Sequence, residues 1–262
     1  MTVPTTVGEK GLDILAELEE SEGQGLNFGT DVLQVPFLRI GQQLTKQTQR
    51  RAAEYIPGFE PGMVFNTATG EFWNEIHVIP VKWEHKVIRW DSLEATAKFT
   101  GSWPAGSPEI PKAVETIKGT GVTANGEALQ DALEYLVIQL NDALSEPLGL
   151  AILSCTKTQF KRAKKWNSEM AAWKVDTGNR VVHPPIFAGI YTLTPISECN
   201  AAGQEYFNWR ISSPKLIEDK GLFMFAKDQF EQYRSSTLAS DRSPNGEDDG
   251  EEDDLSKARG AM

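Results

Sequence analysis

The sequence predicts a mainly β (α+β) fold: a small antiparallel β-barrel with one inserted helix, terminal helices and a disordered acidic C-terminal tail. Three observations predict it. Roughly six or seven short apolar segments are separated by Gly, Pro, Asn and Asp turn residues. One segment, Thr158 to Trp173, instead repeats its apolar residues every three or four positions. Beyond Ser235 the composition becomes Ser, Asp, Glu and Gly, which cannot bury enough apolar area to offset ordering entropy. Strands and helices alternate too sparsely for a doubly wound parallel sheet.

Taken in order, residues 1–30 form an acidic N-terminal segment in which Leu12, Leu15 and Leu18 read as a short amphipathic helix ended by Gly23 and Gly25. The binding domain is expected over 31–235. Val32 to Ile40 is extended and apolar, and Gln42 to Tyr55 is polar, either helix or loop. Met63 to Asn66, a turn at Thr69-Gly70 and Phe72 to Val81 read as a hairpin that continues to Trp90. Pro80 within that run marks an edge strand or a bulge. Residues 101–127, rich in Gly and Pro, read as a flexible excursion from the core. Leu133 to Leu140 and Leu148 to Cys155 read as strands, followed by the helix from Thr158. Pro185 to Thr194 and Glu205 to Ser212 make two more strands joined through Asn200 to Gly203. Leu222, Phe223, Phe225, Phe230 and Tyr233 indicate a last helix, and 236–262 is the disordered acidic tail.

The net charge of −11 is unevenly placed. Residues 241–262 carry net −5 and residues 1–22 another −5, so the body between them is nearly neutral at −1. Within that body, residues 157–180 hold seven bases and two acids. A cationic face beside an anionic tail indicates a protein that binds a polyanion and carries its own competitor.

Several classes are excluded or disfavoured. No apolar run approaches the roughly 20 residues of a membrane span, and no signal peptide is visible, so a cytoplasmic location is expected. Cys155 and Cys199 alone make no disulfide framework. There is no phosphate-binding Gly-x-x-x-x-Gly-Lys, no His-Glu-x-x-His, no Gly-x-Ser-x-Gly and no Cys-x-x-Cys. His77, His85 and His183 are scattered and assemble no metal shell. Asp91, Glu94 and Glu134 could be forced into a nuclease site, but their spacing does not demand it. The expectation is a non-enzymatic protein with no cofactor and no metal.

The clearest constellation is Lys157 to Trp173. Phe160, Ala163, Trp166, Met170 and Trp173 form one apolar stripe, flanked by Lys157, Lys161, Lys164 and Lys165 together with Arg162. Five bases in nine residues with no acid await an anion, since a phosphate backbone would release counterions on meeting them. The competing reading is a solvated helix whose lysines snorkel. Seven Trp in 262 residues is a high share. Trp83 and Trp90 stand among Lys82, Lys86 and Arg89, and Trp103 falls where a core role is least expected. Rings interleaved with cations suit single-strand binding, in which bases stack and cations follow the backbone. Lys46, Arg50 and Arg51 add a further cationic stretch. Trp73, Trp166 and Trp209 read first as core.

Three stretches carry a family resemblance: Pro61 to Glu71 with Ile76 to Trp90, Thr158 to Asn167 with Pro184 to Phe187, and the acidic run Glu247 to Asp254. On these the chain resembles phage-type single-stranded DNA-binding proteins. The resemblance implies an OB-like barrel and a role in coating and protecting single-stranded DNA during phage replication or recombination. It also implies a tail, here Glu247, Asp248, Asp249, Glu251, Glu252, Asp253 and Asp254, that contacts replication or recombination proteins. The chain ends Lys257-Ala-Arg-Gly-Ala-Met262 without the terminal aromatic of such tails, so charge competition is expected rather than pocket docking. The partner expected is single-stranded DNA, with self-association open. The rival classes are a virion or assembly protein and a metal-dependent nuclease or recombinase.

Overall fold

The apolar and aromatic run from Ile76 to Trp90 forms a single 15-residue strand around which the rest of the molecule is arranged. The computed structural model describes residues 35–94, 97–117, 119–200 and 203–238. Strands β1 (Phe37–Ile40), β2 (Val64–Asn66), β3 (Phe72–Trp73), β4 (Ile76–Trp90), β5 (Phe99–Pro104), β6 (Ala113–Ile117), β7 (Thr120–Thr123), β8 (Ala128–Leu140) and β9 (Pro147–Thr156) come first. Helix α1 (Lys157–Ala172), the hairpin β10 (Val175–Asp176) and β11 (Val181–Val182), strands β12 (Gly189–Cys199), β13 (Glu205–Ile211) and β14 (Lys215–Leu216), and helix α2 (Lys220–Tyr233) follow. The acidic segment 1–30 and the run Glu247–Asp254 lie outside the described residues.

Among the described residues the architecture is mainly β, as expected, with a curled, half-barrel sheet and two α-helices. Twelve strands join one sheet, its main path running β13-β12-β4-β8-β9-β1-β2-β3. Among the described pairings only β1 with β9 is parallel. Curling is evident from the core. Leu38 of β1 and Val64 of β2, near one end of the path, share a buried cluster with Trp209 of β13, the strand at the other. The two ends are fastened by a side chain. The Gln42 amide donates to the Phe207 carbonyl at 2.9 Å and accepts from the Phe207 N–H at 2.8 Å. Gln42 thus mimics a strand partner at the free edge of β13, where unpaired backbone groups would otherwise invite pairing. Gly62 is required beside this seam: its φ is +87°, and a Cβ there would lie 2.7 Å from the Phe207 ring.

Pro80 marks a bulge, not an edge strand. The register of β4 on β8 slips between Pro80 and Lys82, leaving Val81 as the extra residue. Pro80 lies where β4 has β8 on one side only, since β12 pairs with residues 76–78 and β5 with residues 86–90. No ladder bond is lost to the missing N–H on the other side. The slip also reverses the pleat. Ile76 and Val78 point into the main core, and beyond the bulge it is Trp83 and His85, opposite Tyr135 and Leu133, that share that face.

Residues 101–127 correct the sequence reading. Expected as a flexible excursion from the core, they carry β5, β6 and β7, which widen the sheet beside the ends of β4 and β8. Their glycines serve turns: Gly106, Gly119 and Gly126 have φ of +85°, +84° and +82°. A small second cluster of Ile88, Trp90, Ala128 and Ala132, with Phe99 against it, supports this extension. At the other end the chain stays packed through Leu238, which is 5% exposed, so the body extends past the expected boundary at Ser235.

The helices cover opposite faces. Helix α1 buries Ala163 and Trp166, and the Trp166 ring sits 4.5 Å from Tyr135 and 5.2 Å from Tyr191. The Tyr135 hydroxyl donates to Asn167 Oδ1 at 2.7 Å. Arg162 docks the flank of α1 on β13's neighbour β12: it pairs with Glu198, which also accepts from Tyr206 and Asn208, each at 2.9 Å. Burial alone would raise the Glu198 carboxyl, but the bonds from Asn208, Arg162 and Tyr206 outweigh it and hold the group below its ordinary value. Helix α2 lies on the other face. Asp219 caps it by accepting from the Leu222 N–H at 2.7 Å, and Phe223 and Phe230 pack on Phe187.

Two expectations follow. Gln42→Ala strands the Phe207 N–H and carbonyl and should cost about 1–3 kcal/mol in urea unfolding, whereas the exposed neighbour Gln43→Ala should stay within about 0.5 kcal/mol. For Glu198, a lowered folded value means that its stabilisation is complete above the unfolded glutamate value of about 4.3. That stabilisation is lost as pH falls through the lower folded value. Glu198→Gln should therefore be less stable than the parent by on the order of 1 kcal/mol at pH 7, with the gap closing as the pH falls below the unfolded value.

Candidate nucleic-acid interface

The outward side of α1 carries the cations expected from its sequence. Lys157, Lys161, Lys164 and Lys165 are exposed, because the apolar stripe of Phe160, Ala163, Trp166 and Met170 turns the opposite side inward. They are not equivalent. Lys165 pairs with Glu169 at 3.3 Å, and Lys164 lies 5.8 Å from the Phe160 ring centre. Lys157 and Lys161 meet no carboxylate among the described residues. Arg162 is committed to Glu198 and serves docking instead. Lys157 begins the helix with φ of +45°, a left-handed conformation that costs roughly 1–2 kcal/mol for a residue with a Cβ.

The reversed pleat of β4 brings rings to the same side. Trp83 is 49% exposed, the largest exposure recorded for an aromatic side chain of the described residues. His85, two residues on, has its ring 5.6 Å from Phe160 of α1 and its Nε2 2.8 Å from Asp131 Oδ1. Trp103 of β5 sits opposite Val87, hence also on this face, with the Arg89 guanidinium 5.2 Å from its ring. Arg89 is held in turn by Thr100 at 2.9 Å and Glu127 at 3.5 Å. The face therefore joins Trp83, the His85–Phe160 pair, the Arg89–Trp103 pair and the lysines of α1.

Three expected residues of β4 lie on the opposite face. Lys82, Lys86 and Trp90 point to the α2 face, because each is an odd number of positions from Trp83 on a pleated strand. Lys86 is 2% exposed and bonds Glu134 at 2.9 Å and Glu84 at 3.2 Å, while Lys82 bonds Glu84 at 2.9 Å. Trp90 is 7% exposed and packs edge-on against Phe99. These side chains are consumed by the fold. Lys46, Arg50 and Arg51 sit on the segment between β1 and β2, with Arg50 and Arg51 exposed; that segment meets β13 through Gln42. The sequence reading missed the His85–Phe160 pair. Phe160 belongs to the apolar stripe of α1 and packs against the core, and its contact with His85, which shares the strand parity of Trp83, depends on the tertiary fold.

The titratable groups beneath this face hold their protons at neutral pH. Burial, with the Glu134 charge, pushes the Cys155 thiol up to about 12, and burial, with Glu169, pushes the Tyr191 hydroxyl up to about 12. Burial likewise raises Tyr135. The described residues contain no group of three or more His, Cys, Asp or Glu placed to hold a metal, and no helix long and apolar enough to cross a membrane. Chemically, the face offers fixed positive charge and stackable rings.

Comparison with known proteins returns no matching curated protein and no matching solved structure. The family model described as Pam3 phage gp34-like protein matches residues 8–239, which takes in every strand and helix described above. By that match the chain belongs to the Pam3 phage gp34-like family, a family of phage proteins.

Proposed function

We propose that this phage protein binds single-stranded DNA without catalysing a reaction on it, coating and protecting the strand during replication or recombination. The observation that carries the reading is the convergence on one face of the unpaired Lys157 and Lys161, the half-exposed Trp83 and the His85–Phe160 pair. Lysines follow phosphates, and bases stack on rings without regard to sequence. A duplex, whose bases are already stacked, gains only the electrostatic part. The acidic tail, rich in carboxylates where α1 is rich in lysines, supports a competitor that occupies this face when DNA is absent.

Titration with oligo-dT should quench Trp fluorescence, with weaker binding to duplex of equal length. The log–log salt dependence should steepen by about 0.7 per phosphate neutralised, and Lys161→Gln should remove about that much. Trp83→Ala should weaken binding by about 1–3 kcal/mol and abolish most of the quenching, while unfolding at the parent midpoint. Full affinity in folded Trp83→Ala and Lys161→Gln proteins would defeat the reading, and equal binding of duplex would make the protein a general polyanion binder.

Truncation after Ser240 should tighten binding at low salt. The gain should fade as ionic strength rises, since exposed charges are screened beyond about 10 Å at 0.1 M. An unchanged low-salt affinity would leave the tail a role in solubility or partner recruitment only.

A further inference from the structure

The α2 face of β4 holds a cluster of charges that binding on the opposite face does not use. Lys82, Glu84 and Lys86 project together from β4, and Glu134 stands directly across from Glu84 on β8. Glu134 is fully buried and also accepts from the Ser154 hydroxyl at 3.2 Å. The lysine ends do not stop at these carboxylates. Lys82 Nζ donates to the Tyr233 carbonyl at 3.1 Å and to the Ser236 carbonyl, and Lys86 Nζ donates to the Leu238 carbonyl. Glu84 accepts from the Leu238 N–H at 3.2 Å. The five residues 234–238 that follow α2 are thus laid against β4 by its charges, with Leu238 as the one buried apolar side chain among them.

We propose that residues 234–238 are a charge-held strap that fixes the C-terminal part of the chain to the back of the strand bearing Trp83 and His85. The physical argument is one of balance. A buried lysine and carboxylate cost solvation that only full pairing restores, so Lys86 needs both Glu134 and the Leu238 carbonyl. The α2 end needs donors for its last carbonyls, and Lys82 supplies one together with a positive charge suited to that end of the helix dipole. Apolar burial alone holds little: Leu238 is a single side chain, and Ser235, Ser236 and Thr237 contribute almost none. Detaching the strap moves the last anchored residue from Leu238 back to Tyr233. The five strap residues span roughly 17 Å when extended, so the strap sets where the chain leaves the body.

The test needs no ligand. In the full-length protein, trypsin cleavage after Arg234, followed by mass spectrometry, reports strap opening, because that bond lies at the strap's first residue. Glu84→Gln removes the negative charge shared by Lys82, Lys86 and the Leu238 N–H, and Lys82→Met removes the donor to the Tyr233 and Ser236 carbonyls; both positions are partly exposed, and each variant should speed this cleavage about tenfold or more while the barrel still melts cooperatively. Cleavage at the parent rate in both folded variants would overturn the strap. So would rapid hydrogen exchange at the Leu238 amide of the unmodified protein, a measurement that stands even where a variant fails to fold.

Discussion

The pleat of β4, reversed once at the Pro80 bulge, is the constraint on which the rest of the molecule depends. Side chains on a strand alternate between faces, so inserting one residue exchanges the two sets. Ahead of the bulge Ile76 and Val78 enter the core beneath α1. After it Trp83 and His85 take that side, and Lys82, Glu84, Lys86 and Trp90 take the other. An unbroken strand would place two lysines under α1 and leave Trp83 facing α2. Proline is tolerated at that point because β4 has only one strand neighbour there, and the same gap gives the slip somewhere to occur.

Helix α1 divides its labour in the same way. Trp166 and Ala163 fill the hollow of a sheet whose ends are fastened at Gln42. A curled sheet without an occupant would leave a cavity, and deleting a Trp-sized side chain costs about 3–5 kcal/mol for that reason. The outer side of the helix is then free to be cationic, since its stability comes from packing rather than from local charge pairs. Arg162 stands at the boundary between the two roles. It is long enough to reach Glu198 on β12, and it converts one of five clustered bases from a surface charge into a docking contact.

The buried charges on the α2 side have a different character. Ion pairs taken out of water are poor sources of net stability, but breaking one partner is costly. Their value lies in specificity: Lys82 and Lys86 reach main-chain carbonyls at defined positions, so the chain after α2 has one place to lie. Cationic residues beside aromatic ones on a strand, as in Lys82-Trp83 and Lys86 near Trp90, look alike in sequence whether they serve a ligand or an internal carboxylate. For Lys86 the deciding carboxylate, Glu134, lies some fifty positions away on β8, whereas Lys82 is held by Glu84 of its own strand and by the carbonyls of Tyr233 and Ser236.

What the sequence determined by itself is what local chemistry controls. The 3.6-residue stripe from Phe160 to Met170 dictates a helix with one apolar side, and the lysines between its members must face out. The apolar runs of β4, β8, β9, β12 and β13 were legible as strands, and with them the mainly β class and the curled barrel. Tertiary structure alone decided the rest, because it depends on residues far apart in the chain. The Gln42–Phe207 seam spans 165 positions, the Arg162–Glu198 pair 36, and the Lys86–Leu238 contact 152. The Gly- and Pro-rich stretch 101–127 became strands because β4 and β8 offered it free edges, a condition that no local propensity records. Which face the lysines of β4 take, and which of its two Trp meets solvent, followed from a single extra residue in one strand pairing.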